Sequence, residues 1–384
     1  MSSSREIIYL DHAATSWPKP ESVRQRANDC YTDLFANSGR SGYAASVRSA
    51  EMVFETRQNL ASLLGAADSR DVVFTSGATE GINLVLKGFL DSGDLVFVSP
   101  MEHNSVMRPL RGLARERSIR VETMPADRLG AVDWDAAGRM ARRLGPRLAV
   151  VAHASNVNGV VQDLSAAREA LGEVPILVDA AQTAGVLPIR AEADGLDFVA
   201  CSAHKGLLGP TGLGACYLGG EHDVGPLLEG GTGSRSADVE QPPFRPDRYE
   251  AGTQNLHGIA ALSGALGQIA SAGLAGGLKR ELTAVLIEGL RELPGVRLHC
   301  PVDGSAILVA ITVDGLPPDR VASVLERDFG VLCRPGLQCA PAAHRHLGTY
   351  PVGTVRLSPG PGNTERQMRH VLDAVGRVAS EGRR

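Results

Sequence analysis

From Val72 to Leu218 the chain alternates short apolar runs with amphipathic stretches, and this pattern limits the fold more than any other feature. The runs Val72–Thr75, Leu95–Val98, Arg120–Met124, Leu148–His153, Ile176–Val178, Asp197–Cys201 and Leu213–Leu218 read as strands. The stretches Thr79–Phe89, Val106–Arg117, Asp135–Arg143 and Leu164–Leu171 read as helices. Such alternation builds an α/β protein: a doubly wound, mostly parallel sheet with helices on both faces. In such a sheet ligands bind outside the carboxyl ends of the strands.

After Leu218 the pattern changes. A Gly/Pro-rich stretch over 219–246 precedes two helical patterns, Leu256–Ala272 and Leu278–Leu293. Strands at Arg297–His299, Ala306–Val313 and Thr354–Leu357, with helices at Asp319–Arg327 and Thr364–Val378, read as a small α+β unit. We expect a large α/β domain over 16–259 and a small domain made of 1–15 and 260–384. A chain of 384 residues can bury such cores without disulfide or metal staples. Its six cysteines are scattered and form no CxxC pair, so neither a zinc site nor any other metal site is expected. A net charge of −4 argues against a partner such as nucleic acid or an anionic membrane. Residues 1–6 lack a signal-peptide pattern. The uncharged stretch Ala251–Leu278 carries Gln254, Asn255, His257 and Gln268, so it reads as a buried helix, not a membrane span. A cytoplasmic protein is expected.

Lysine is scarce: only Lys19, Lys87, Lys205 and Lys279 stand among 39 basic residues. Lys19 lies in a polar turn between prolines. Lys279 begins an amphipathic helix, where solvation is expected. Lys87 is expected to snorkel from a half-buried helix. Lys205 follows the apolar strand Phe198–Cys201 inside Ser202-Ala203-His204-Lys205-Gly206. A lysine at a strand's carboxyl end suits a Schiff-base amine, although alone it could be a surface-loop residue. Asp179 ends another strand. It could cap the next turn, or it could pair with the ring nitrogen of pyridoxal phosphate (PLP). Gln182 could reach the ring's phenolic oxygen. Thr75-Ser76-Gly77-Ala78-Thr79-Glu80 opens a helix whose N–H groups suit a phosphate, and it also resembles an ordinary capping pattern. His103 and Asn156 follow two further strands. Five consecutive strand ends thus carry groups of the kinds a PLP site uses.

The chain resembles the class V aminotransferase family of fold-type I PLP enzymes, in its cysteine desulfurase and selenocysteine lyase branch. The resemblance rests on segments 9–15, 77–83, 102–104, 155–159, 178–182, 202–205, 230–233, 334–341 and 354–358. It implies a PLP-dependent transferase fold, with Lys205 as Schiff-base lysine, Asp179 on the ring nitrogen, Gln182 on the phenolic oxygen and His103 stacked on the ring. Gly77, Ala78, Thr79, Ser202 and His204 would hold the phosphate, helped by Thr232 from the second subunit of a homodimer. Asn156 would line the site. Arg356, with Arg334 nearby, would take the substrate carboxylate, for which a guanidinium fork fits better than an ammonium. Cys339 would accept the sulfur, in the group with a short, ordered cysteine loop.

The implied reaction converts L-cysteine to L-alanine and leaves a persulfide on Cys339 for an acceptor protein. Selenocysteine lysis, epimerisation, β-elimination, or a PLP-binding scaffold role in a sulfur-transfer complex stand as alternatives. Ala78 replaces a hydroxyl residue common in relatives, Tyr43 stands where relatives often have histidine, and Ala340–His344 is a subfamily pattern. These departures bear on substrate range and pathway, not on PLP binding.

Overall fold

A computed structural model describes residues 6–32, 36–39, 41–220 and 222–382. Residues 1–5 of the N-terminal stretch and Arg40, next to Tyr43, therefore lie outside the described residues. The alternating region forms a seven-stranded sheet. Its order is Val72–Thr75, Gly214–Leu218, Phe198–Ser202, Ile176–Asp179, Leu148–Ala152, Leu95–Val98, Arg120–Thr123. Only Gly214–Leu218 runs against its neighbours.

Apart from the exposed edge strand Arg120–Thr123, the strands are apolar on both faces because both are covered. Val96, Val98, Val150, Leu177 and Phe198 point into one core, beneath the helices Ala78–Phe89 and Asn104–Glu116. Phe97, Val151, Ile176, Val178 and Val199 point into the other. There they meet the helices Ala44–Leu64 and Leu256–Ala272. The alternation of side chains along each strand produces this sorting. Among the described residues no single helix is long and apolar enough to cross a membrane.

The C-terminal part builds a four-stranded antiparallel sheet in the order Arg334–Gly336, Thr354–Leu357, Val309–Val313, Val296–Leu298. The N-terminal strand Ile8–Tyr9 pairs in parallel with Val331–Leu332, and Ile8 and Leu10 share this part's core with Leu286, Val324 and Val375. From Ile8 the chain therefore runs in the small unit, crosses over 11–16, and enters the large one.

Close backbone approach governs the junction between the last sheet strand and the first loop. A Cβ on Gly214 would lie 2.4 Å from the Cys201 carbonyl oxygen and 2.5 Å from Gly77 Cα. Neither atom belongs to a flexible side chain, so the backbone itself would have to move. We expect Gly214→Ala to destabilise the protein by about 1–3 kcal/mol and to weaken PLP retention, because the displaced segment is the N-terminus of helix Ala78–Phe89. Thermal unfolding and PLP titration would check this; an unchanged melting temperature would contradict it.

Candidate active site

Loops leaving the carboxyl edge of the large sheet meet the small sheet and bring most of the expected residues together. Helix Ala78–Phe89 starts at Gly77, which offers no side-chain cap. The Ala78 N–H donates instead to Ser202 Oγ at 3.0 Å, joining two strand ends. The Ala78 methyl is buried in the core below, and Thr79 stands exposed in the helix's first turn. The Ser76 N–H donates to Glu80 at 2.6 Å, so the loop before the helix is held by the helix's own first turn.

His103 caps helix Asn104–Glu116: its Nδ1 accepts from the Ser105 N–H at 3.0 Å. A backbone N–H can only donate, so Nδ1 carries no proton and the neutral ring holds its hydrogen on Nε2. Burial lowers the His103 pKa, and Lys205, Arg334 and Arg108 add to this against an opposing pull from Asp179. Asp179 is 7% exposed. Its Oδ1 accepts from the Ala181 N–H at 2.9 Å, and Ser105 Oγ lies 3.5 Å from Oδ2. It therefore closes its own turn while presenting a carboxylate beside His103. Gln182 donates through Nε2 to the Ala13 carbonyl at 3.0 Å.

Lys205 is half-buried, and its amine has no hydrogen-bond partner among the described residues. Burial is the main force lowering its pKa; Arg356 and Arg334 lower it further, while Asp179 and Cys339 oppose them. The neutral amine is thereby made accessible nearer to neutrality. His204 is pushed down to about 4, first by burial and then by Lys205 and Lys19. Its Nδ1 is buried and unpartnered.

Arg356 is 1% exposed. Nη1 donates to the Asn156 carbonyl at 2.8 Å, Nη2 to Asp11 Oδ1 at 2.5 Å, and Nε is buried without a partner. A buried guanidinium held by one carboxylate still lacks an acceptor. Cys339 is exposed, with its Sγ 3.9 Å from Arg334 Nη2. Its carbonyl accepts from the Asn104 N–H at 2.9 Å, and the Gln338 carbonyl accepts from Asn156 Nδ2 at 2.6 Å. The cysteine loop is thus tied to two loops of the large sheet. Gln338 and Cys339 have φ of 41° and 60°, left-handed conformations that cost non-glycine residues roughly 1–2 kcal/mol each.

PLP would need a lysine amine, an acid for its ring nitrogen, a flat group over the ring and an anion site for its phosphate. Lys205, Asp179 and His103 supply the first three. The helix start at Ala78, Ser202 and the unpartnered Nδ1 of His204 supply the fourth. The residues present fit the group.

One expectation fails. Lys279 is not solvated: it is 6% exposed and donates to the Pro359 carbonyl at 2.6 Å. Its place at the start of a helix hid the fact that the loop at Pro359 covers it. Lys19 lies outside regular structure as expected, and there it donates to Ser16 Oγ at 2.7 Å and to the His204 carbonyl at 2.8 Å, supporting the lysine loop from behind. Thr232 stays apart from the Lys205 cluster within one chain, in a cleft lined by Asn37, Phe54, Arg57 and Asp247. Sequence reasoning missed Asp11, Gln338 and Glu102. All three lie inside motif segments, so their place there was the available signal. Glu102 is fully buried and pushed up to about 8 by burial; it accepts from Ser99 Oγ at 2.6 Å and from the Ala152 N–H at 2.8 Å.

The family profile described as "Aminotransferase class-V" matches residues 8–371. The chain belongs to that family. Its members are PLP enzymes, and the large mixed sheet with its small partner is their fold type I. Curated relatives include a protein named probable cysteine desulfurase from Methanothermobacter thermautotrophicus, 31% identical over 98% of this chain and 96% of its own length. Cysteine desulfurase CsdA from Escherichia coli is 33% identical over 97% of this chain and 94% of its own. Among solved structures, the apo cysteine desulfurase from Thermococcus onnurineus superposes with a TM-score of 0.91 at 30% identity, covering 98% of this chain and 95% of that one.

Lys279 gives a prediction that needs no substrate. Burial lowers its pKa from 10.5 to about 8. The folded state therefore binds fewer protons than the unfolded state between about pH 8 and 10.5, and stability rises with pH across that window. We expect the stability of the wild type relative to Lys279→Met to increase from pH 7 to pH 10, by on the order of 3 kcal/mol. Chemical denaturation at both pH values would show it; a constant difference would contradict a buried, depressed amine.

Proposed function

We propose that this protein is a PLP-dependent cysteine desulfurase that turns L-cysteine into L-alanine and carries the sulfur as a persulfide on Cys339. One observation carries the reading. Of the six free cysteines, only Cys339 is exposed, and it is fixed by the Asn104 N–H in the same charged cluster as Lys205, Arg334 and Arg356. The relatives named cysteine desulfurase support it.

Bound PLP supplies an electron sink that acidifies Cα of the amino acid. Asp179 would hold the proton of the ring nitrogen, and His103 would pack against the ring. Arg356 receives the substrate carboxylate through its unpartnered Nε edge. Lys205, with its pKa lowered by burial, removes the Cα proton as a neutral amine. Cys339, as a thiolate, attacks the substrate's sulfur. A sulfur–sulfur bond forms, and the Cβ–S bond breaks with its electron pair staying on the carbon side. Cβ takes up a proton, Lys205 returns a proton to Cα, and the product leaves as alanine. The exposed loop then offers the persulfide to an acceptor protein.

We also read the protein as a homodimer. Tyr43, Val47 and Phe54 are 56%, 43% and 53% exposed beside the cleft that holds Thr232. A second copy covering this face would bring Thr232 of the partner subunit toward the phosphate end of the site. Six free cysteines fit a reducing compartment such as the cytoplasm.

Borohydride treatment of the PLP-loaded protein should fix the cofactor to Lys205, as read by peptide mass; label on Lys19, Lys87 or Lys279 would refute the site. Cys339→Ser should lose alanine formation from cysteine on the order of 1000-fold or more, since a hydroxyl cannot accept sulfane sulfur. Arg356→Lys should mainly raise KM, because the ammonium keeps the charge and loses the fork. Near-normal turnover by Cys339→Ser would place the nucleophile elsewhere.

A further inference from the structure

The reactive cysteine sits in a backbone conformation that its own residue type disfavours, so something must hold it there. Gln338, one residue earlier, is 4% exposed although its φ is also left-handed. Its side-chain Nε2 donates to the Arg334 carbonyl at 3.1 Å and to the Thr354 carbonyl at 3.0 Å. Two carbonyl acceptors fix which end of the amide is the nitrogen. The oxygen, Oε1, therefore faces His344 Nε2 at 2.9 Å and needs a donor there. His344 is fully buried, and its Nδ1 lies 2.7 Å from Thr349 Oγ1. Only one arrangement satisfies the whole chain. Nε2–H of His344 donates to Gln338, and Nδ1, unprotonated, accepts from the Thr349 hydroxyl. Burial lowers the His344 pKa to about 4, which agrees with a neutral ring.

Each end of this chain is anchored to regular structure. Arg334 and Thr354 are on adjacent strands of the small sheet. His344 and Thr349 are tied by the Thr349 N–H donating to the His344 carbonyl at 2.9 Å. The anchored Gln338 immediately precedes Cys339, whose thiol has to meet the substrate's sulfur. We propose that His344 and Gln338 are positioning residues for the reaction: the Nε2–H···Oε1 bond locks Gln338, and through it holds Cys339 in the left-handed backbone that aims its thiol. The inference rests on Cys339 being the nucleophile. A buried, fully satisfied polar network is the kind that fixes one conformation. Misplacement of a reacting atom by an ångström is enough to cost about 100-fold in rate.

The test uses three replacements at one position. Glutamine places its Nε2 near the position of the histidine Nε2, so His344→Gln keeps the donor to Gln338. Asparagine reaches only as far as Nδ1, so His344→Asn loses it, and His344→Ala loses both. With PLP-loaded protein and L-cysteine, we expect His344→Gln to keep kcat within about threefold, while His344→Asn and His344→Ala lose about 100-fold at little-changed KM. In substrate-free holoenzyme, hydrogen exchange over 334–341 should follow the same order, slow in wild type and His344→Gln and fast in the other two. Equal kcat for the glutamine and asparagine variants, or a loss confined to KM, would overturn the proposal, as would retained protection of 334–341 in His344→Ala. If wild-type protein formed no alanine at all, the desulfurase reading would fail, and hydrogen exchange alone would decide whether His344 holds the loop.

Discussion

One buried guanidinium joins the three parts of this molecule on which the site depends. Arg356 leaves a strand of the small sheet, binds Asp11 on the crossing segment and binds the Asn156 carbonyl on a loop of the large sheet. A charge buried this deeply is costly unless it is paired. The ion pair and the Asn156 hydrogen bond together therefore hold the small unit against the large one, at the point where a substrate carboxylate would arrive. Removing Asp11 would leave the cation unpaired, so the same contact stabilises the junction and shapes the binding site.

The cleft around that contact is rich in positive charge. Lys205, Arg334 and Arg356 face it, with Lys19 and Lys279 behind, against Asp179 and Asp11. This imbalance suits a phosphate and an amino-acid carboxylate, both anionic. It also bears on the depressed amines: burial acts first on Lys205 and Lys279, and neighbouring arginines lower both further. The same field would suit Lys205 to the role of base proposed for it.

Much of this was legible in the sequence because the sheet imposes order. Each strand's end carries one polar group, so Lys205, Asp179, His103, Asn156 and Ser202 could be found by walking from strand to strand. Helices Leu164–Leu171 and Leu256–Ala272 were legible to the residue. Helix Ala44–Leu64 was missed, since nothing in its local pattern says that it packs on Leu256–Ala272 far along the chain. Lys279 was misread for a related reason: a helix periodicity shows which residues share a face, not what covers that face. Asp11 acts through a contact 345 positions away, with Arg356, while Gln338 acts through nearby residues whose side-chain directions no periodicity fixes. Thr232 lies apart in its own cleft, and the second subunit proposed to use it follows from the resemblance, not from any periodicity in one chain.

The account stands on sulfur moving to one particular cysteine. The most direct measurement is a single turnover of PLP-loaded protein with one equivalent of L-cysteine, followed by alkylation and fragment mass spectra of all six cysteine positions. The account predicts one added sulfur atom on Cys339, formed in step with alanine. Alanine released with the added sulfur on Cys333 or another cysteine, or with none on the protein, would contradict it.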